Sequence, residues 1–175
     1  MSDNRIPVWR LIAHHAVPED SARWFEQTRR IAVGWGLIGD LRAARYGSAA
    51  EISDAIRDVY PTLKNSGSGG VCLYDFCFRM GLGDLVIVNA NGRRVLVMEV
   101  QGDYCFKPKL EPPPIVHYQH QRKATRLPID PDELWREAGR GPRDGHNIRW
   151  TLIKCRLPID VATKERLLAV GLGRK

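Results

Sequence analysis

Apolar positions along the chain switch between a period near two and a helical period, and those switches predict the order of elements. Residues 8–14 read as a first strand. Pro18 opens a helix with Glu19 and Asp20 in its first turn and Arg29 and Arg30 in its last, charges that suit the helix dipole at both ends. Ala22 and Phe25 give that helix a packed stripe, and Trp24 beside them is either core or rim. Residues 31–35 form a second strand, followed by the Gly39-Asp40 turn and a loop carrying Arg42 and Arg45. Ser48-Ala-Ala-Glu51 is a capping box, and Ile52, Ala55, Ile56, Val59 and Tyr60 recur at helical spacing up to Pro61.

Residues 64–70, Lys-Asn-Ser-Gly-Ser-Gly-Gly, read as a mobile surface loop. Over residues 71–80 apolar side chains are so dense that a helix there must be enclosed or border a cavity. Leu85-Val-Ile-Val88 is an unbroken apolar run, the pattern of a strand covered on both faces. Asn91-Gly92 signals a hairpin, residues 93–99 return, and residues 102–106 extend the strand with Gly102 as a bulge. Pro112-Pro-Pro114 makes a stiff connector, and residues 117–127 alternate as a more exposed strand. A short helix over 131–138, a Gly, Pro and Arg loop over 140–144, a closing strand carrying Ile148, Trp150 and Leu152, and a final helix over about 161–171 complete the order. Five or six short strands interrupted by helices predict an α+β fold, a small, partly closed mixed β-barrel with helices packed around it.

With 175 residues, 43% of them hydrophobic, the chain suits a single domain with a core over about 8–157. Its formal charge of +7 makes polyanions the default partners, and 27 dispersed Lys and Arg residues argue for a basic face on a folded body. Cys72, Cys77, Cys105 and Cys155 show no Cys-x-x-Cys pair and no zinc-like spacing with histidine, so neither metal nor cofactor is expected. No leader and no run near the ~20 apolar residues of a membrane span is visible, which predicts a cytoplasmic protein with free thiols.

The chemistry concentrates in Ile-Ala-Val-Gly-Trp-Gly-Leu-Ile-Gly-Asp-Leu, residues 31–41. Glycines on both sides of Trp35 permit unusual backbone angles and leave the indole faces open to a planar guest, to whose edge Asp40 could offer a carboxylate. The plainer reading makes Trp35 a core aromatic and Asp40 a turn residue. Tyr104, Tyr74, Phe78 and Phe106 compete for the opposite wall, although Tyr74 and Phe78 lie four apart on an apolar helix and fit a core better. Phosphate contacts would come from Arg42, Arg45, Lys107, Lys109, Arg122, Lys123 and Arg126, each of which is otherwise solvated surface. Asp84 followed by Glu99-Val-Gln101 faintly resembles a metal-dependent nuclease pattern, but glutamine stands where that mechanism needs lysine, so catalysis is not expected.

The order Gly-Trp-Gly-x-x-Gly-Asp-Leu (34–41), a helix to Tyr60-Pro61, an aromatic-rich helix over 71–80, Gly-Asp-Leu-Val-Ile-Val (83–88), Val-x-Gly-x-Tyr (100–104) and His120-x-Arg122 resembles the EVE-like domains of the PUA-like superfamily. More narrowly, it resembles the modules that stand beside nucleases in modification-dependent restriction systems. That resemblance implies a barrel whose pocket accepts a nucleobase flipped out of a duplex, with Trp35, Asp40 and Tyr104 at the base and His120 and Arg122 on the neighbouring strand. The relatives often end that strand in Val-x-Trp-Leu, whereas this chain has Ala124-Thr-Arg126-Leu127. The expected function is a non-catalytic reader of a modified base, in DNA before RNA, with any cleavage supplied by a separate nuclease or effector chain. A generic RNA-binding module of the same superfamily and a protein-interaction module are the alternatives.

Overall fold

A computed structural model describes residues 4–109 and 118–173. The proline connector and His117 lie outside them. The order is β1 (Arg5–Ile6), β2 (Val8–Ile12), α1 (Pro18–Thr28), β3 (Arg30–Val33), α2 (Ala49–Val59), α3 (Ser66–Tyr74), β4 (Leu85–Ala90), β5 (Arg93–Phe106), β6 (His120–Leu127), α4 (Pro131–Glu137), β7 (Leu152–Lys154), β8 (Ile159–Asp160) and α5 (Val161–Gly173). The fold is α+β. Six strands make one mixed sheet in the order β3-β6-β5-β4-β2-β7, with β2 and β4 parallel and the other pairs antiparallel, while β1 and β8 pair separately. β3 and β7 are the two ends of that sheet, which is open.

Side-chain alternation explains why β2 and β4 are apolar at every position but Arg10 and Asn89. On β2 and β4, Trp9, Leu11, Val86 and Val88 join a core with Phe25 of α1, Ile52 and Ile56 of α2 and Leu73 of α3. Val8, Leu85 and Ile87 face the other way, toward Leu134 of α4 and Leu167 of α5. A sheet covered on both faces has no solvent side on which to place polar residues. No described helix is long and apolar enough to cross a membrane.

Local signals hold at several termini. Ser48 Oγ accepts the Glu51 N–H at 3.3 Å, and the Glu51 carboxylate returns to the Gly47 N–H at 2.9 Å. Asn91 (φ 50) and Gly92 (φ 74) turn the hairpin in left-handed conformations. The β5–β6 register shifts between Val100 and Tyr104, around Gly102, where a Cβ would stand 3.0 Å from Lys123 Cβ.

Four expectations are corrected. Arg29 does not end α1 inside its last turn; it is the left-handed cap at φ 52, and Arg30 already begins β3. The Gly/Ser stretch over 66–70 is helical, because its missing side chains let α3 lie directly on α2: a Cβ on Gly70 would stand 2.0 Å from Ser53 Oγ and 2.4 Å from the Ala49 carbonyl oxygen. The helix over 71–80 changes at Tyr74 into a π-helical turn, Asp75–Arg79. Finally, β6 is not an exposed strand in its first half, since His120, Gln121 and Arg122 are buried.

Candidate functional site

β3 ends at Val33, and the chain passes through Gly34 into Trp35, whose backbone is left-handed at φ 62 and ψ 30. For a residue with a Cβ that conformation costs about 1–2 kcal/mol, so neighbouring structure must hold it. The unusual angle therefore belongs to the tryptophan and not to Gly34 or Gly36. Gly36 is needed for a different reason: a Cβ there would lie 1.6 Å from Oε1 of the buried Gln119.

Two buried side chains clamp the turn that follows. Tyr104 Oη accepts the Leu41 N–H at 3.2 Å and lies 2.8 Å from His120 Nδ1, while His120 Nε2 lies 3.3 Å from the Trp35 carbonyl oxygen. One proton assignment satisfies all three contacts: the hydroxyl donates to Nδ1, and Nε2–H donates to the carbonyl. The imidazole is then neutral. Burial pushes its pKa down to about 4, against the opposing pull of the Trp35 carbonyl and Asp40, and burial likewise raises the Tyr104 hydroxyl.

The acid dependence of stability follows. His120 in the folded chain resists the proton that an unfolded histidine takes up near pH 6.5, so stability is full above that pH and falls as pH drops toward 4. At most about 3 kcal/mol is lost across that window through this residue. An NMR titration should find the His120 ring neutral at pH 5; a midpoint near 6.5 would contradict the clamp.

Beside the indole opens a cavity of about 540 Å³, inside the roughly 300–1,000 Å³ typical of small-molecule sites. Residues 12–15, 34–35, 60, 62–63, 118, 149 and 151 line it. Three aromatic side chains contribute: half-buried Trp35, Tyr60 at the end of α2, and Tyr118. Tyr60 Oη accepts the Leu37 N–H at 3.1 Å, which ties the far side of the Trp35 turn to α2. Tyr118 is buried, stacks on Phe25 at 5.4 Å between ring centroids, and accepts the His14 N–H at 2.9 Å. The rings of His14 and His15 stack at 4.6 Å, and Arg149 is exposed in the loop before β7.

Of the expected base-binding residues, Trp35 alone lines this cavity. Asp40 does not; its carboxylate accepts the Arg42 N–H at 3.0 Å within its own turn, so the proposed edge contact is corrected to a local turn bond. Tyr104 is corrected from cage wall to clamp. Phe106 is half-buried with its ring 5.3 Å from His120. Tyr74 and Phe78 lie 5.1 Å apart away from the cavity, Phe78 exposed and Tyr74 beneath the Arg79 guanidinium at 5.3 Å.

The basic set divides in the same way. Arg45, Lys107 and Lys109 are exposed, and Lys123 borders a separate groove of about 240 Å³ with Arg29 and Arg30. Arg42 is exposed, 3.9 Å from Asp103, and Arg126 is paired with Glu26. His120 and Arg122 cannot touch phosphate, because both are buried and their ring and guanidinium nitrogens are bonded inside. Arg122 donates to the carbonyls of Phe76 at 2.7 Å, Cys77 at 3.1 Å and Gly102 at 3.1 Å, joining the π-helical turn to the β5 bulge. Asp84 accepts the Trp9 indole N–H at 2.7 Å and the Gly81 N–H at 3.0 Å, and Glu99 is held by Lys164 and Gln101.

Sequence reasoning missed His14, His15, Tyr60, Tyr118 and Arg149. Tyr60-Pro61 and the His14-His15 doublet stand at element ends, where cavity walls are commonly built, and that was the available signal. A family described as a domain of unknown function (DUF8426) matches residues 9–136. No curated protein matches the chain.

Proposed function

Starting from a chain that belongs to the DUF8426 family, we propose that this protein is a non-catalytic nucleic-acid-binding module that reads a modified nucleobase, in DNA, by receiving the flipped base in the cavity beside Trp35. The observation that carries the reading is the open cavity of about 540 Å³ against an indole held in a left-handed backbone conformation. Strain of that kind persists where a side chain must be presented at a fixed angle.

The energetics suffice. Extruding a base costs a few kcal/mol of stacking and pairing, and each aromatic platform returns about 1–3 kcal/mol. Trp35 and Tyr60 supply two such surfaces, with Tyr118 at the buried end. The net charge of +7 attracts the backbone, and Lys107, which is exposed, bonds through its backbone N–H to the carbonyl of Gln119, the residue after Tyr118. The EVE-like motif order supports the same reading; in it the open six-stranded sheet, bulged at Gly102, is the curved wall of a partly closed barrel. Cleavage, in this reading, belongs to a separate effector chain.

Trp35→Gly tests it, since glycine keeps the left-handed backbone while removing the ring. Binding to duplexes carrying modified cytosines should weaken by about tenfold or more, with a log-log salt slope near about −4 for wild type from four or five phosphate contacts. Equal affinity of the two proteins would discard the cage. Equal affinity of wild type for modified and plain duplexes would reduce the protein to a generic binder.

A further inference from the structure

We propose that the groove at the β3–β6 pair is a phosphate site, in which Arg29, Arg30 and Lys123 hold the backbone of the bound nucleic acid; this rests on the nucleic-acid reading and adds where the polyanion lies. The groove, of about 240 Å³, is lined by those three cations with Thr28, Gln101 and Thr125, and by no carboxylate among the described residues. Glu26, Glu99 and Asp103 stand two residues from the lining in sequence, and each is engaged elsewhere, with Arg126, Lys164 and Arg42 respectively. Arg29 and Lys123 are exposed, and neither head group is bonded among the described residues.

Two like charges face each other here. Arg30 and Lys123 are direct partners in the β3–β6 ladder, a placement that destabilises a sheet unless an anion lies between them. Buried structure aims both side chains. Gln121 is 3% exposed; its Nε2 donates to the Tyr118 carbonyl at 2.8 Å, and its Oε1 accepts from Arg30 Nη1 at 3.3 Å. A carbonyl only accepts and a guanidinium only donates, so the carboxamide has one orientation. Arg30 is thereby held by a side chain that also grips the cavity-wall residue Tyr118. A Cβ on Gly102 would stand 3.0 Å from Lys123 Cβ and 3.4 Å from its Cγ, so the bare bulge leaves room for the lysine stem. β3 runs four residues, about 13 Å at ~3.3 Å each, from this groove to the Gly34-Trp35 turn, and a single short oligonucleotide is long enough to reach both.

The experiment measures fluorescence anisotropy of a plain and a 5-methylcytosine duplex over a salt series, with wild type, Trp35→Gly and two double variants. Arg29→Gln with Lys123→Gln empties the groove of its two unpaired cations and leaves Arg30 on Gln121. Arg136→Gln with Arg156→Gln removes the same charge from exposed positions outside the groove. The groove variant should weaken both duplexes by the same factor, roughly tenfold at low salt, and flatten the log-log salt slope by about two. The control variant should keep the wild-type slope. An unchanged slope in the groove variant overturns the site, and so does an equal flattening in the control, which would leave net charge as the whole effect. Weakening confined to the methylated duplex also overturns it, by making these side chains base contacts. Insensitivity to Trp35→Gly with a flattened slope in the groove variant overturns base reading and leaves the phosphate site standing, whereas a wild type that binds neither duplex overturns both.

Discussion

Replacing Arg122 by Met should lower the unfolding free energy by about 3–5 kcal/mol, a loss set by stranding buried carbonyls and not by lost packing volume. The guanidinium is 1% exposed, and its three nitrogens each reach a different carbonyl, Phe76, Cys77 and Gly102. Two of those oxygens come from the π-helical turn, and the third from the β5 bulge, where the ladder to β6 is interrupted. Met fills the stem but gives none of them a donor. Arg122→Lys should recover little, because one ammonium cannot span three diverging acceptors. Urea unfolding checks this: the midpoint should fall with an unchanged slope, and a loss below about 1 kcal/mol would show that water replaces the guanidinium freely.

Arg122 also shows why part of this structure was legible in sequence and part was not. Signals confined to neighbouring residues were readable: the Ser48–Glu51 cap, the Asn91-Gly92 turn and the Gly102 bulge each came from a few adjacent positions and each appears. The polar alternation of β6 suggested exposure because solvent is the usual partner of His and Arg. Here the partners of Arg122 are carbonyls 20 to 46 residues away, a distance over which no local pattern reports. The cavity was hidden for a similar reason. Its walls come from separate segments, near residues 14, 35, 60, 118 and 150, and the indole between two glycines was the single wall whose own neighbours advertised it. Tyr104 and His120 were found as important and given the wrong task, since a residue that clamps a recognition turn and one that touches the ligand share the same chemistry.

The glycines of α3 supply the last and most discriminating expectation. Composition made Ser-Gly-Ser-Gly-Gly a loop, because glycine in a helix costs about 1 kcal/mol relative to alanine. That cost is offset by close approach to α2, so the substitutions should separate by position and not by propensity. Gly70→Val should destabilise by about 3 kcal/mol or more, because its Cβ would meet the Ala49 carbonyl at 2.4 Å and the Ser53 nitrogen at 2.8 Å, backbone atoms that move only if the helices part. Gly69→Ala meets side chains instead, Ile56 Cδ1 and Trp35 Cε2, both at 3.0 Å. Its helix-propensity gain should roughly cancel the crowding, within about 1 kcal/mol, while the displaced indole changes the cavity wall. Thermal unfolding and nucleic-acid binding, measured on both variants, should therefore part company: Gly70→Val loses stability, and Gly69→Ala keeps its stability but binds modified duplexes more weakly. Equal stability losses at the two positions would mean that the α2–α3 contact excludes a Cβ at Gly69 as firmly as at Gly70, and unchanged binding by Gly69→Ala would show that the seating of Trp35 against α3 has no part in recognition.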